Sequence, residues 1–474
     1  MLFRQSLEKI VRNKVLLVFL VIFITGFYLR ASVAYTTELW GDESVSVETV
    51  TVSSFKDLVI QSGGYEDILH PTGYYILLKL WLFLGFFDDN WIRTLTLLFY
   101  LPTVVLLYLL GKELTFEKKT SLFSIFIFSI HPLLVNLGYQ ARMYAPALFS
   151  CIVCLYFLFK KNDSKKEVVL SALFLAIGIY IDYLTLWLVG ALICVLLLKF
   201  ISSPVFCRKL AKVLALTALL SLPQLIVLTL DYFQVGGMID PGSIPQGKIT
   251  AEYFLIETGQ LFGLFWDETY ITALFLGLGI GLIFYRGMYV HSSSLRIIIL
   301  IIITLSLLFS YIKSPIYLAR NLSIVSVVSC FVISEGFYAA LKKKQFALVL
   351  LIIMYMAHLI FVSVTRKGFL FQNDLALFSQ KIKSENALVI FLSDSVSPTL
   401  TAFYFPKAGV ENHQVLHLKR DFNSTDLNIF STPRKKYVVH ATTCLSDDIC
   451  KSQHQEVKKI CALKGNNCEI FKEL

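Results

Sequence analysis

Charge is scarce in this chain. Asp, Glu, Lys and Arg make up 16% of its 474 residues, and 56% are hydrophobic; soluble domains carry roughly 25% charged residues. So little polar material cannot cover one soluble core of this length, and a bilayer is the solvent that suits it. The basic excess, a formal net charge of +10, does not gather into a stripe that could follow a phosphate backbone. Lys and Arg lie in short clusters between apolar runs, which speaks for membrane topology and against a nucleic-acid partner. The cysteines at 444, 450, 461 and 468 match no CxxC spacing, and the sequence shows no convincing metal-binding cluster. No internal repeat is visible.

What is present is a series of bilayer-length apolar runs. They begin near Val15, Trp91, Thr120, Met143, Val168, Tyr183, Lys212, Tyr270, Ile297, Leu322 and Phe346, about eleven spans in all. The first follows Arg4, Lys9, Arg12 and Lys14 and ends near Ser32-Val33-Ala34, which could pass as a signal-peptide cleavage site. The run is long for a signal sequence and many spans follow, so it reads as an uncleaved first span. The run His70–Phe87 is ambiguous. If it does not cross, and the N-terminus is cytoplasmic, the cytoplasmic loops hold Lys112, Lys118, Lys119, Lys160, Lys161, Lys165, Lys166, Lys199, Arg208, Lys209, Arg286, Arg296, Lys342, Lys343 and Lys344. The long outer loops then keep little beyond Lys56 and Lys248. If it crosses, every later loop inverts and the positive-inside rule fails. Lys79, in mid-run, would also be costly at the bilayer centre. His70–Phe87 is therefore expected to lie along or dip into the outer interface.

The reading is an α-helical polytopic membrane domain at residues 1–364, with a first outer loop at 34–90 and a second large one at 231–268. A small α/β domain follows outside the membrane at 365–474. Ala387–Leu392 and Lys436–His440 look like strands, and Leu375–Lys383 and Glu456–Ile460 like helices. Cys151, Cys154, Cys194, Cys207 and Cys330 lie in or beside spans, where a thiol acts as a small hydrophobe. Cys444, Cys450, Cys461 and Cys468 crowd into the tail, an even cluster that suggests two disulfides of open connectivity, with zinc as the rival reading.

The first outer loop is acidic. Glu38, Glu48, Asp57, Glu66 and Asp67 read as a solvated surface. Asp42 and Glu43 differ because they follow the first span closely, beside Trp40, an interface anchor. A carboxylate held at the membrane surface is partly desolvated, which raises its basicity. Adjacent helical residues point about 100° apart, so one of the pair would face a given reacting atom. Asp42 is the expected reactive group, with Glu43 orienting or binding. Basic residues outside are few: Arg30, Arg93, Arg142, Lys313 and Arg320, all at outer span ends. Snorkelling anchors are one explanation, most apt for Arg30. An anionic headgroup such as a lipid phosphate is the other, and it suits the set as a whole.

Four segments carry a specific resemblance: Trp40-Gly41-Asp42-Glu43, His70-Pro71-Thr72-Gly73-Tyr74-Tyr75, Trp91-Ile92-Arg93 and Gln140-Ala141-Arg142-Met143-Tyr144-Ala145. In order and spacing the chain resembles GT-C glycosyltransferases, above all the bacterial branch related to protein O-mannosyltransferases and aminoarabinose transferases, over roughly residues 10–330. The resemblance implies a membrane enzyme that takes a sugar from a polyprenyl-phosphate carrier and passes it to a lipid, glycan or protein acceptor on the outer face of the inner or plasma membrane. It implies two membrane-parallel helices in the first outer loop and Asp42 as general base in one inverting displacement. Arg142 and Arg320 would hold the donor phosphate, with His70 and Lys313 in support. Trp40, Tyr74, Arg93, Tyr144 and Asp182 are further substrate-site candidates. No cofactor is required by this chemistry; a divalent metal is compatible with it but unsupported by the residues. Two departures stand out. Ile181-Asp182-Tyr183 replaces the Thr-His-Tyr-like triplet common in the family, and His70-Pro71-Thr72 replaces His-Pro-Pro. A polytopic lipid or solute transporter or flippase is the alternative, and it would predict inverted repeats and polar residues at mid-membrane.

Overall fold

The computed structural model describes residues 14–37, 39, 41–52, 54–60, 70–85, 89–114, 117–160, 164–234, 251–264, 277, 293–312 and 318–365, and strand segments at 388–391, 415–417, 436–439 and 468–471. The chain divides into two compact units: Met1–Thr36 with Thr49–Gly368, and Thr37–Glu48 with Phe369–Leu474. Residues 37–48 group with the tail.

The helices of the N-terminal region are α1 (Lys14–Ala34), α2 (Gly41–Val52), α3 (Phe55–Ile60), α4 (Thr72–Phe83), α5 (Asp89–Leu98) and α6 (Tyr100–Glu113). Then come α7 (Lys118–Ile130), α8 (Pro132–Tyr139), α9 (Tyr144–Phe159), α10 (Lys165–Ile181), α11 (Thr185–Lys199) and α12 (Pro204–Gln234). The series ends with α13 (Ala251–Leu261), α14 (Ser293–Ile312), a 3-10 turn (Ala319–Leu322), α15 (Ser323–Lys342) and α16 (Phe346–Thr365). Among the described residues six helical stretches are long and apolar enough to cross a membrane: Lys14–Ala34, Asn90–Glu113, Pro204–Thr229, Ser294–Tyr311, Ala319–Lys342 and Phe346–Thr365. The pair α7 and α8, bent by 64°, makes a seventh if it is one span. Tyr144–Phe159 and Thr185–Lys199 are shorter apolar helices. The run expected from Tyr270 lies outside the described residues. These helices make the chain a polytopic membrane protein, with fewer full-length spans described than the eleven expected.

The His70–Phe87 run forms only the twelve residues of α4. At 1.5 Å per residue that is about 18 Å, short of a hydrocarbon core of about 30 Å. Lys79 does not face lipid: its Nζ donates to the Val50 carbonyl at 2.6 Å and lies 5.5 Å from the centre of the Phe55 ring. Trp81 and Trp91 clasp α4 to α5, their rings stacked at 4.5 Å and each indole N–H donating to the other's backbone carbonyl.

The bend between α7 and α8 has a covalent cause. Pro132 has no N–H, so the helical bond it would give to the Phe128 carbonyl is missing, and the residue before it, His131, is extended. Carbonyls on both sides of this break are collected by distant side chains. Arg30 donates to Phe128 O at 3.3 Å, Ser129 O at 2.9 Å and Leu134 O at 3.1 Å, and Ser363 Oγ donates to Ile130 O at 2.7 Å. The Arg30 guanidinium lies over the Tyr100 ring at 4.3 Å. Its residue is 1% exposed, so the expectation of a snorkelling anchor is corrected: burial against a proline break, not the interface, explains this cation. The end of α13 docks on the same break. Leu261 O meets His131 Nε2 at 3.2 Å, and Phe262 O accepts from the Tyr355 hydroxyl at 2.8 Å.

Arg296, expected in a cytoplasmic loop, belongs instead to the first turn of α14 and pairs with Glu335 of α15 at 2.8 Å, both buried. The five cysteines in or beside the spans are unpaired.

The second unit contains four parallel strands, β1 (Leu388–Phe391), β2 (Val415–His417), β3 (Lys436–Val439) and β4 (Cys468–Phe471), in the order β2-β1-β3-β4. Val389 pairs with Val415 and Tyr437, and Val438 with Ile470. Parallel neighbours need crossover connections. The two helices expected in the tail, and the cysteine pairings, lie outside the described residues.

Candidate active site

The first unit builds a buried polar cluster where α8 hands over to α9. Gln140, Ala141, Arg142 and Met143 leave α8 as a tight turn, in which Arg142 N–H donates to Gln140 O at 2.7 Å. Asn136 Oδ1 steadies the turn by accepting from the Tyr139 hydroxyl at 2.8 Å and from Gln140 Nε2 at 3.2 Å. The Arg142 side chain is buried, and its Nη2 stands 3.3 Å from His70 Nε2. A guanidinium only donates, so this contact makes Nε2 the acceptor and puts the imidazole proton on Nδ1.

Asp182 is a buried acid of the same unit. It ends α10, donates its own N–H to Gly178 O at 2.8 Å, and accepts from the Leu184 N–H at 3.0 Å through Oδ1, which starts α11. Burial raises its carboxyl to about 7, opposed by the Leu184 N–H and by the neighbouring Arg142 charge. Tyr74, Tyr75 and Tyr144 are buried in the same unit, and the Tyr74 and Tyr75 rings meet edge to face at 5.9 Å.

Arg320 sits in the 3-10 turn, half-buried. Glu257 of α13 accepts the neighbouring Ala319 N–H at 2.6 Å; burial raises its carboxyl, against the pull of that N–H and of Arg320. Sequence reasoning missed Glu257, one unremarkable acid in the second outer loop. Arg93 is fully buried, donating to Ala34 O at 3.0 Å and lying 5.5 Å from the Tyr139 ring centre.

In the second unit, Asp42 and Glu43 form the first turn of α2, where acidic groups complement the partial positive charge of a helix N-terminus. Asp42 is half-buried and Glu43 buried, and the Asp42 carbonyl accepts from Ser46 Oγ at 3.1 Å. Trp40 and Lys313 lie outside the described residues. Among the described residues no group of three or more His, Cys, Asp and Glu side chains is placed to hold a metal ion.

Residues 69–226, which hold His70, Arg142 and Asp182, match the dolichyl-phosphate-mannose-protein mannosyltransferase family. No curated protein sequence matches the chain. Among solved structures it is similar to ArnT from Cupriavidus metallidurans bound to undecaprenyl phosphate, at 12% identity and a TM-score of 0.56, over 88% of this chain and 91% of that one. It is also similar to the Archaeoglobus fulgidus oligosaccharyltransferase in complex with Zn and sulfate, at 12% identity and a TM-score of 0.51, over 88% of this chain. The chain spans 65% of the length of that archaeal enzyme. Such matches speak against the transporter alternative. The chain thus matches the dolichyl-phosphate-mannose-protein mannosyltransferase family over residues 69–226 and shares its fold with ArnT.

Proposed function

We propose that the protein is a glycosyltransferase that moves a sugar from a polyprenyl-phosphate carrier to an acceptor at the outer face of the membrane. The observation that carries the reading is Arg142, a buried guanidinium within the matched family region, turned to His70 and neighbouring Asp182. A planar donor of this kind suits a lipid phosphate. That ArnT has been seen with undecaprenyl phosphate supports the same ligand class here.

In this reading Asp42 takes the proton of an acceptor hydroxyl or amine, and Glu43 orients the acceptor. The acceptor's lone pair forms the new bond to the anomeric carbon as the bond from that carbon to the phosphate oxygen breaks, inverting the centre. The electron pair leaves with the polyprenyl phosphate, whose charge Arg142 and Arg320 stabilise, with His70 and Lys313 in support. Trp40, Tyr74, Tyr144 and Asp182 line the substrate. The chain crosses the membrane about eleven times with its N-terminus cytoplasmic, and the reactive groups and residues 365–474 lie outside. The asymmetry of the basic loops supports that orientation.

The test uses purified wild-type and Asp42→Asn protein with polyprenyl-phosphate sugars, following release of free polyprenyl phosphate. A loss of about 10²-fold or more in turnover is expected of a missing general base. Equal turnover by the two proteins would remove Asp42 from the mechanism.

A further inference from the structure

Arg142 stands before α9 and Lys160 closes it, so the sixteen residues of that helix hold the two cations about 24 Å apart at the helical rise. At the Lys160 end, the last turn of α9 and the first turn of α12 enclose a cavity of about 380 Å³, within the size range of small-molecule sites. Its floor is apolar, with the Phe159 and Phe206 rings stacked at 5.7 Å. Its rim is polar and is made by Lys160, Ser203 and Lys209. Lys209 Nζ donates to the Lys160 carbonyl at 2.8 Å. That bond caps the C-terminus of α9 and fixes the ammonium at the cavity wall. Lys160 Nζ lies 3.2 Å from Glu167, whose carboxylate also completes the capping box of α10 with Ser164.

Charge and exposure around the cavity identify what would fill it. The segments 160–167 and 199–212 carry eight Lys and Arg residues against Asp163 and Glu167. Lys165, Lys166, Arg208 and Lys212 are exposed, so an approaching anion meets an excess of positive charge. Beside these cations the chain between α11 and α12 bares apolar surface: Phe200 is 68% exposed, Ile201 94%, and Val205, at the open edge of the cavity, 62%. A soluble anion would leave that apolar edge uncovered, and a zwitterionic headgroup would leave the cationic excess unanswered. A molecule with an anionic head and hydrocarbon tails satisfies both. We propose that this cavity binds the headgroup phosphate of an anionic phospholipid, between Lys160 and Lys209, with its acyl chains along Phe200, Ile201 and Val205. The site is separate from Arg142 and does not depend on what Arg142 binds.

The probe is phosphatidylglycerol with a photoactivatable diazirine beside its headgroup, a minor component of phosphatidylcholine nanodiscs that hold the full chain. After irradiation, the labelled peptides are mapped by mass spectrometry. Label is expected to concentrate on the peptides containing 158–160 and 203–209, and the same diazirine on phosphatidylcholine should not reproduce the pattern. Lys160→Gln should lower labelling there about fivefold, the worth of one lysine at an anionic lipid surface. Val205→Trp keeps every charge but fills the mouth of the cavity at an exposed position, and it should abolish labelling of those peptides. Replacing Lys118 and Lys119 together by Gln removes two exposed cations that do not line the cavity, and should leave labelling unchanged. Label spread evenly over the lipid-facing helices, an equal pattern from the phosphatidylcholine probe, or unchanged labelling in Val205→Trp would each overturn the proposal. So would displacement of the label more readily by polyprenyl phosphate than by unlabelled phosphatidylglycerol, which would mark a second carrier site instead. Should Lys160→Gln not purify as a monodisperse protein, Val205→Trp and the phosphatidylcholine probe decide.

Discussion

Replacing Arg30 by methionine tests the account of the α7–α8 break directly. The long apolar side chain fills much of the same volume, and what disappears is the fork that serves Phe128 O, Ser129 O and Leu134 O. Of these, Phe128 O has lost its helical donor to Pro132. A buried carbonyl left without a partner costs about 1–3 kcal/mol, and the guanidinium over Tyr100 at 4.3 Å adds up to about 2 kcal/mol. Removing the charge also removes the cost of burying it, which offsets several kcal/mol. The net expectation is a destabilisation of about 1 kcal/mol, which lowers the melting midpoint by roughly 2 °C. Arg30→Lys should fall between the two, because an ammonium keeps the charge but not the planar fork. Melting is followed by tryptophan fluorescence in one detergent at one scan rate, since unfolding of such proteins is commonly irreversible. Because α8 leads straight into the Arg142 turn, phosphate-lipid binding should weaken in the methionine variant below its melting temperature. If both variants melt within about 1 °C of wild type, inside the ±0.5 kcal/mol range of neutral substitutions, Arg30 does not hold the break.

Two further predictions follow from the same geometry. Burial raises Asp182 from 3.8 to about 7, so between those values the folded chain binds a proton that the unfolded chain releases. Stability should therefore fall as pH rises from about 4 to about 7, by at most about 4 kcal/mol, and Asp182→Asn should remove this decline; a wild-type melting midpoint that rises over the interval, with no change in the variant, would contradict the sign. Trp91→Leu removes the ring stack at 4.5 Å and the indole bond that Trp91 gives to the Trp81 carbonyl, a loss of about 2 kcal/mol. It should speed hydrogen exchange selectively across α4, and unchanged exchange at 72–83 would show that the clasp does not hold that helix.

Much of this architecture was legible in the residues because two signals are local. Apolar length marks a span wherever it occurs, and β-branched alternation marked the strands at 388–391 and 436–439. The strands at 415–417 and 468–471 escaped because three or four residues, Val415-Leu416-His417 or Cys468-Glu469-Ile470-Phe471, carry too little pattern to stand out from a polar tail. The grouping of residues 37–48 with the tail was equally unreadable, since it depends on segments more than three hundred positions apart. His70 and Arg142 could be named beforehand, but the need for glycine at 73 could not, because it is set by the α10 backbone it meets.

The arginines show most clearly why position alone misleads. Arg30, Arg93 and Arg142 all stand at outer span ends, and by sequence each could be an anchor or a phosphate ligand. The folded chain separates them by partner. Arg30 bonds backbone carbonyls and faces an aromatic ring, and the partners of Arg93 include the Ala34 carbonyl and the Tyr139 ring. Carbonyls and rings cannot change their charge, so those guanidiniums stay satisfied whatever approaches. Arg142 instead reaches the His70 imidazole at 3.3 Å and lies within electrostatic reach of the buried Asp182 carboxyl. That difference is what selects Arg142, and neither Arg30 nor Arg93, as the cation suited to a ligand that must come and go.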